Sequence, residues 1–205
     1  MKILPLSSLV LSLVPLACRQ PAVDVEDSPP PRAHPSRIVL APEGEPGPAL
    51  EVTGQVFAPD GVTPAPGVTV YAYQTGIDGR YARTSGDPPR IRGWMTTDAT
   101  GRYAFRTIRP GAYPGETVPA HIHFQLWGGG WPTQYSEDVN FADDERLTER
   151  ERERSRKLGR FGPIVTAVRG DDGVLRATHD LRLKSKAEEL EENIRHGVLD
   201  EPKRG

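Results

Sequence analysis

Leu50-Glu51-Val52-Thr53-Gly54-Gln55-Val56-Phe57 sets Leu50, Val52 and Val56 on one side of an extended chain and Glu51, Thr53 and Gln55 on the other. Side chains two apart share a face of a strand, so the stretch reads as a half-buried β-strand. Val68-Thr69-Val70-Tyr71-Ala72-Tyr73 reads the same way, and between the two lie the turn-forming Pro59-Asp60-Gly61 and Pro64-Ala65-Pro66-Gly67. Farther out, Asp98-Ala99-Thr100-Gly101 turns into Arg102-Tyr103-Ala104-Phe105-Arg106. Further strands are expected at Ala120 to Trp127, Pro163 to Val168 and Leu175 to Leu183, the last two joined by Asp171-Asp172-Gly173. Arg169-Gly170-Asp171, which spells an adhesion tripeptide, falls at that turn and is read as part of it. Six or more short strands at this spacing specify an all-β fold, a β-sandwich.

Composition points the same way. Gly and Pro number 21 each, together about a fifth of 205 residues, against an average nearer 12%, and no collagen-like period accompanies them. The length suits one domain with its own core. Lys and Arg (26) nearly balance Asp and Glu (28), so no overall field recruits nucleic acid or an anionic membrane.

The flanks read differently. Met1-Lys2 precedes an apolar run, Ile3 to Ala17, too short to span a bilayer, and residues 1–18 are expected to be a signal peptide. Export to the cell envelope or periplasm follows. Cys18, directly after Leu16-Ala17, is placed where a lipoprotein carries its lipid anchor, with ordinary cleavage near Ala17 as the alternative. As the only cysteine it cannot form an intramolecular disulfide. Residues 19–47, rich in Pro and acidic groups, read as a disordered tether, and 48–184 as the sandwich. Asp143 to Lys157, with alternating Glu and Arg, is expected to be a short charged, solvated helix. Residues 185–205 form a helical tail, with Ala187 to His196 as its helix.

Pro119-Ala120-His121-Ile122-His123-Phe124 is the densest chemical signal, because two imidazoles two apart on a strand point to one face and can converge on a metal. A pair making ordinary hydrogen bonds fits those residues equally well. Gly79-Arg80-Tyr81 and Arg109-Pro110-Gly111-Ala112-Tyr113-Pro114 place two phenols at loop or strand-end positions from which they can reach the histidines.

From Gly54 to Asp144 the chain resembles the core of the intradiol ring-cleavage dioxygenases, the family of protocatechuate and catechol dioxygenases. The matching residues, in order and approximate spacing, are Asp78-Gly79-Arg80-Tyr81, Arg92-Gly93, Thr97-Asp98, Gly101-Arg102-Tyr103, Phe105-Arg106-Thr107-Ile108, Pro110-Gly111, Tyr113-Pro114, Pro119 to Phe124 and Thr133-Gln134. The resemblance implies a β-sandwich of the intradiol type holding one non-haem ferric ion, Fe3+, on Tyr81, Tyr113, His121 and His123. It implies a small-molecule catechol substrate and dioxygen, a muconate-type product, and a Tyr113 that leaves the metal as substrate binds. Free phenols have a pKa of about 10, so two tyrosinates near neutral pH require a strong local cation, which a ferric ion supplies. Gln134 matches a glutamine lining the oxygen-side pocket, beside its other reading as a polar residue starting a strand.

Val118 stands where catalytic members carry Arg, and one of Arg109, Arg92 and Arg80, Arg109 foremost, is expected to replace that cation. Gly115 follows Tyr113-Pro114 where an aromatic is common, and Gly128-Gly129-Gly130 implies an unusual loop. Trp94, Trp127 and Trp131 can line an aromatic pocket or belong to the core. A non-catalytic exported sandwich that binds a catechol or a protein partner is the alternative function. A metal-free transthyretin-like sandwich fits Gly54 to Tyr73 alone. The residues leave oligomeric state open.

Overall fold

In the computed structural model the described residues are 34–84 and 86–195, so the expected signal segment with Cys18, and His196, lie outside them. Twelve strands follow in chain order: β1 (Arg37–Val39), β2 (Ala49–Phe57), β3 (Val68–Gln74), β4 (Ile91–Thr96), β5 (Arg102–Ile108), β6 (His121–Gly128), β7 (Trp131–Tyr135), β8 (Val139–Phe141), β9 (Ile164–Val165), β10 (Val168–Arg169), β11 (Leu175–Thr178) and β12 (Leu181–Arg182). Among the described residues they form two six-stranded sheets, β1-β5-β2-β11-β10 with β12 also on β2, and β4-β3-β6-β8-β9 with β7 also on β6. The all-β sandwich read from the alternation is the fold observed. The short strands β1, β4 and β8 were not among those expected, and β7 contains Gln134, one of whose readings was a polar residue starting a strand.

Val52, Val56, Phe105 and Ala177 of the first sheet meet Val70, Met95, Ile122, Phe124 and Leu126 of the second in one core. Because Ile122, Phe124 and Leu126 of β6 face that core, His121, His123 and Gln125 project from the opposite, outer face of the second sheet. β3 is buried on both faces rather than half-buried, with Tyr71 and Tyr73 only 2% and 0% exposed. Aromatic rings cover its outer side: Tyr71 stacks on Trp94 at 5.0 Å and Tyr73 on His123 at 4.6 Å.

The tether expected to reach residue 47 is corrected by β1, which pairs in parallel with β5, and by Leu40, which lies in the core. Glu45, also within the expected tether, binds Arg90 at 2.8 Å. Ile38-Val39-Leu40 is too short to display a period of its own and gains order by adding to a sheet edge.

The charged helix α1 spans Glu149–Leu158, starting later than expected because Thr148 and Glu151 form a capping box there. It is not wholly solvated, since Arg152 donates to the carbonyl of Ala142 at 2.9 Å and Ser155 is buried. A second helix, α2 (Lys186–Arg195), begins beside reciprocal bonds between Ser185 and Glu188 and is tied to β12 by the Arg182–Glu188 pair at 2.7 Å.

Candidate metal centre

Two loops bring the phenols over the outer face of β6. In the first, the amide of Gly79 donates to the carbonyl of Gly76 at 3.0 Å, and the amide of Gly111 from the second loop donates to the same carbonyl at 2.9 Å. The loops are in such close contact that a Cβ on Gly79 would lie 2.0 Å from the Ala112 carbonyl oxygen, and one on Gly111 would lie 2.2 Å from that of Ile77. Only glycine fits at either place, and Gly79 also has a φ of 73°. Arg90 supports the first loop, donating its amide to the Tyr81 carbonyl at 2.8 Å while its guanidinium binds Glu45 and the Arg80 carbonyl. In the second loop Tyr113-Pro114-Gly115-Glu116 closes a turn, with Pro114 and a left-handed Gly115 (φ 79°) at its centre.

The result is a cluster of four donor atoms. Tyr81 Oη contacts Tyr113 Oη and lies 2.7 Å from His123 Nε2. Tyr113 Oη lies 3.1 Å from His121 Nε2 and 3.4 Å from His123 Nε2, and the two Nε2 atoms are 2.9 Å apart. The outer ring nitrogens are both occupied, His121 Nδ1 by the Pro119 carbonyl at 2.7 Å and His123 Nδ1 by Asp138 at 3.0 Å. Those bonds leave each Nε2 facing the phenols. Beside them the Tyr73 hydroxyl is buried without a hydrogen-bond partner among the described residues.

Burial, then the hydrogen bond with Tyr113, pushes the Tyr81 phenol far above its ordinary value. Burial and the neighbouring His123 hold His121 below the ordinary histidine value, against the opposing bond to Pro119. Two phenols, two imidazoles and spacings near 3 Å are the donor set and crowding that one ion with bonds of about 2 Å would organise. The residues present fit a trivalent cation, whose charge would reverse the upward pressure on the phenols.

Tyr81, Tyr113, His121 and His123 are thus brought together, while the other expected site residues are engaged elsewhere. Gln134 on β7 pairs with Leu126, a core-facing residue, so its side chain lies on the face opposite the histidines. Its carbonyl oxygen accepts from the Lys184 amide at 2.6 Å, a structural role that replaces the pocket role expected from the motif. Arg109 grips Asp143 through two bonds of 2.7 Å and lies over the Phe141 ring at 4.6 Å. Arg92 donates to the Pro89 carbonyl at 2.6 Å, and Arg80 is exposed. Arg109, foremost among the cations expected to stand in for the missing Arg, is therefore held by Asp143 and Phe141, while Arg92 shares the outer face of the sheet with Tyr73 and His123 through the β4–β3–β6 register. Asp138 was missed; its signal was its place just before Val139-Asn140-Phe141, a register that becomes visible only once strands are paired.

Comparison with known proteins agrees with this fold. The family model described as Dioxygenase, Dioxygenase_C, matches residues 31–158, more than half of the chain. The chain is 36% identical over 117 residues to the protocatechuate 3,4-dioxygenase beta chain of Burkholderia cepacia, covering 51% of this chain and 49% of that protein. It is 32% identical over 141 residues to 6-chlorohydroxyquinol 1,2-dioxygenase of Cupriavidus pinatubonensis, covering 58% and 49%. It thus spans about half the length of these two relatives. Among solved structures, the dioxygenase domain of a carbohydrate-binding fusion protein from Streptomyces sp. SirexAA-E superposes with a TM-score of 0.56 at 26% identity, covering 77% of this chain and 94% of that one. With its sandwich, its paired tyrosine loops and its HxH strand, the chain belongs to the intradiol ring-cleavage dioxygenase family.

Proposed function

We propose that the protein is a non-haem ferric dioxygenase that cleaves a catechol-type aromatic between its two hydroxylated carbons with dioxygen, giving a muconate-type product. The observation that carries this reading is the convergence of the four donor atoms: Tyr113 Oη lies within 3.4 Å of both inward Nε2 atoms, which are 2.9 Å apart, and Tyr81 Oη lies 2.7 Å from that of His123. Tyr81, Tyr113, His121 and His123 would hold the ferric ion, which when bound supplies the positive charge that ionises phenols and takes electron density from a chelated catecholate. The chain's own groups do the rest. His121 and His123 turn Nε2 toward the phenols because their outer nitrogens are bonded to the Pro119 carbonyl and to Asp138. On this reading Tyr113, at the start of the Pro114-Gly115 turn, is the phenol that releases its position and accepts a substrate hydroxyl proton at Oη. Tyr81, packed against Tyr73 at 5.9 Å, stays in place.

The test is the visible spectrum of the purified protein with iron quantified on the same sample, followed by oxygen uptake with a panel of catechols. A tyrosinate-to-iron charge-transfer band with one iron per chain, shifting on anaerobic catechol addition, and oxygen consumed in step with catechol are expected. Binding with a spectral shift but no uptake would make it a non-catalytic catechol binder. A colourless, iron-free protein after reconstitution would end the dioxygenase reading.

A further inference from the structure

We propose that Asp138 is the positioning residue of His123, a carboxylate that locks the imidazole in the tautomer whose Nε2 faces the two phenols. This rests on the reading of the four donor atoms as a metal site. The β6–β8 ladder pairs His121 with Asn140 and Ile122 with Val139, so one step farther along the same register Asp138 lies opposite His123. Residues facing each other across an antiparallel pair project from the same face, which puts the carboxylate beside the ring. Asp138 Oδ1 lies 3.0 Å from His123 Nδ1, on the far side of the ring from the Tyr81 oxygen, which is 2.7 Å from Nε2.

His121, His123 and Asp138 have donor atoms near enough to share an ion. The geometry assigns the carboxylate a different task, because a ligand would have to approach the cluster of Nε2 and phenol atoms, whereas Asp138 is spent on the outer nitrogen. With a carboxylate oxygen accepting at Nδ1, the neutral ring carries its proton there and presents the Nε2 lone pair to the phenols. His121 obtains the same tautomer from the Pro119 carbonyl at 2.7 Å, a backbone group that no substitution removes. The two histidines therefore differ in how they are set: one by the main chain and one by a replaceable side chain.

The segment carrying Asp138 is itself held on several sides. The Ser136 amide donates to the Phe124 carbonyl at 3.2 Å, the Glu137 carboxylate binds Arg154 of α1 at 2.9 Å, and the Glu137 carbonyl accepts from the buried His179 at 3.3 Å. Such support is what an outer partner of a metal-bound histidine needs, and losing one commonly weakens metal affinity by about 10- to 100-fold.

The experiment compares the full chain with Asp138→Ala and Asp138→Asn. In metal-free protein, nitrogen-15 imidazole spectra are expected to show His123 protonated at Nδ1 in the wild type and in Asp138→Asn, whose amide oxygen can still accept, and a mixture or the Nε2–H form in Asp138→Ala. Competition with a ferric chelator is expected to show retention lowered about 10- to 100-fold in Asp138→Ala and by only a few-fold in Asp138→Asn. An unchanged tautomer and unchanged retention in Asp138→Ala would overturn the proposal. So would equal loss in both variants, which would make Asp138 a direct ligand. If the wild type itself takes up no ferric ion, the dioxygenase reading fails, while the metal-free spectra still decide whether Asp138 sets the tautomer.

Discussion

Tyr81 and Tyr113 bring the same functional group to the cluster from unlike anchorages. Tyr81 is wedged beside Tyr73 and His123, with its carbonyl bonded by the Arg90 amide at 2.8 Å, whereas Tyr113 rides on the Pro114-Gly115 turn. Their removal should therefore read out differently. Tyr81→Phe is expected to lose ferric retention at least tenfold and to bleach most of the visible band. Tyr113→Phe is expected to keep more iron and to lose turnover on the order of a hundredfold, the usual contribution of a positioned proton acceptor. Iron stoichiometry and oxygen uptake on the same samples separate the two, and the reverse pattern would make Tyr81 the phenol that leaves. Gln134 belongs to a different account. Gln134→Leu is expected to leave the charge-transfer band unchanged while costing about 1–3 kcal/mol in urea unfolding, because the Lys184 amide loses its acceptor.

At the scale of elements, the site exists because two loops interlock through glycines. Asp78-Gly79-Arg80-Tyr81 and Pro110-Gly111 were legible as motifs, but the reason for glycine lies in contacts between segments distant in the chain. A Cβ on Gly79 would meet the Ala112 carbonyl oxygen at 2.0 Å, with backbone rather than a flexible side chain in the way. Gly79→Ala is expected to part the loops, separate the phenols and abolish stoichiometric iron, with far-ultraviolet dichroism close to wild type because the sheets are untouched. The Arg90–Glu45 pair joins the first of these loops to the segment ahead of β2, with Glu45 only 6% exposed at its side chain. That segment had the composition of a tether, and no local pattern in it announces a partner 45 residues away. Helix α1 is the converse case: its Glu and Arg alternation and the Thr148 capping box are local chemistry, readable without the fold, although its use of Arg152 to hold the Ala142 carbonyl is not.

For the whole molecule, the charged groups point to acid lability. Burial pushes His179 below the ordinary histidine value. A group neutral in the fold but protonated in the unfolded chain contributes stability that is full above about pH 6.5 and declines as pH falls toward the folded value. The carboxylates follow at lower pH. Arg37 holds Glu51 below the usual range; Arg182 and the Ser185 amide bring Glu188 to about 2; and bonds from Ala120 and Arg146 outweigh burial at Asp144. Each contributes stability present above the unfolded carboxylate value, near pH 4, and lost as pH falls through the folded one. The Tm of metal-free protein is therefore expected to be level above about pH 7, to decline gently to pH 5 and to drop steeply below pH 4. His179→Gln should reduce the first decline, leaving the part that His121 contributes, and should not change the second. A Tm that rises on acidification would contradict the signs argued here.

By itself the sequence determined the sandwich class and the two helices, because alternation, turn residues and charge patterning are local and survive without knowledge of what packs where, while the four donors followed from its resemblance to a family. Only the tertiary structure decided which residues share a face across strands. The register of β6 with β7 sent Gln134 to the core side, and its register with β8 set Asp138 against His123. Strand pairing is non-local, and a shift of one residue exchanges the two faces, so such assignments follow from the assembled sheet rather than from any stretch of chain.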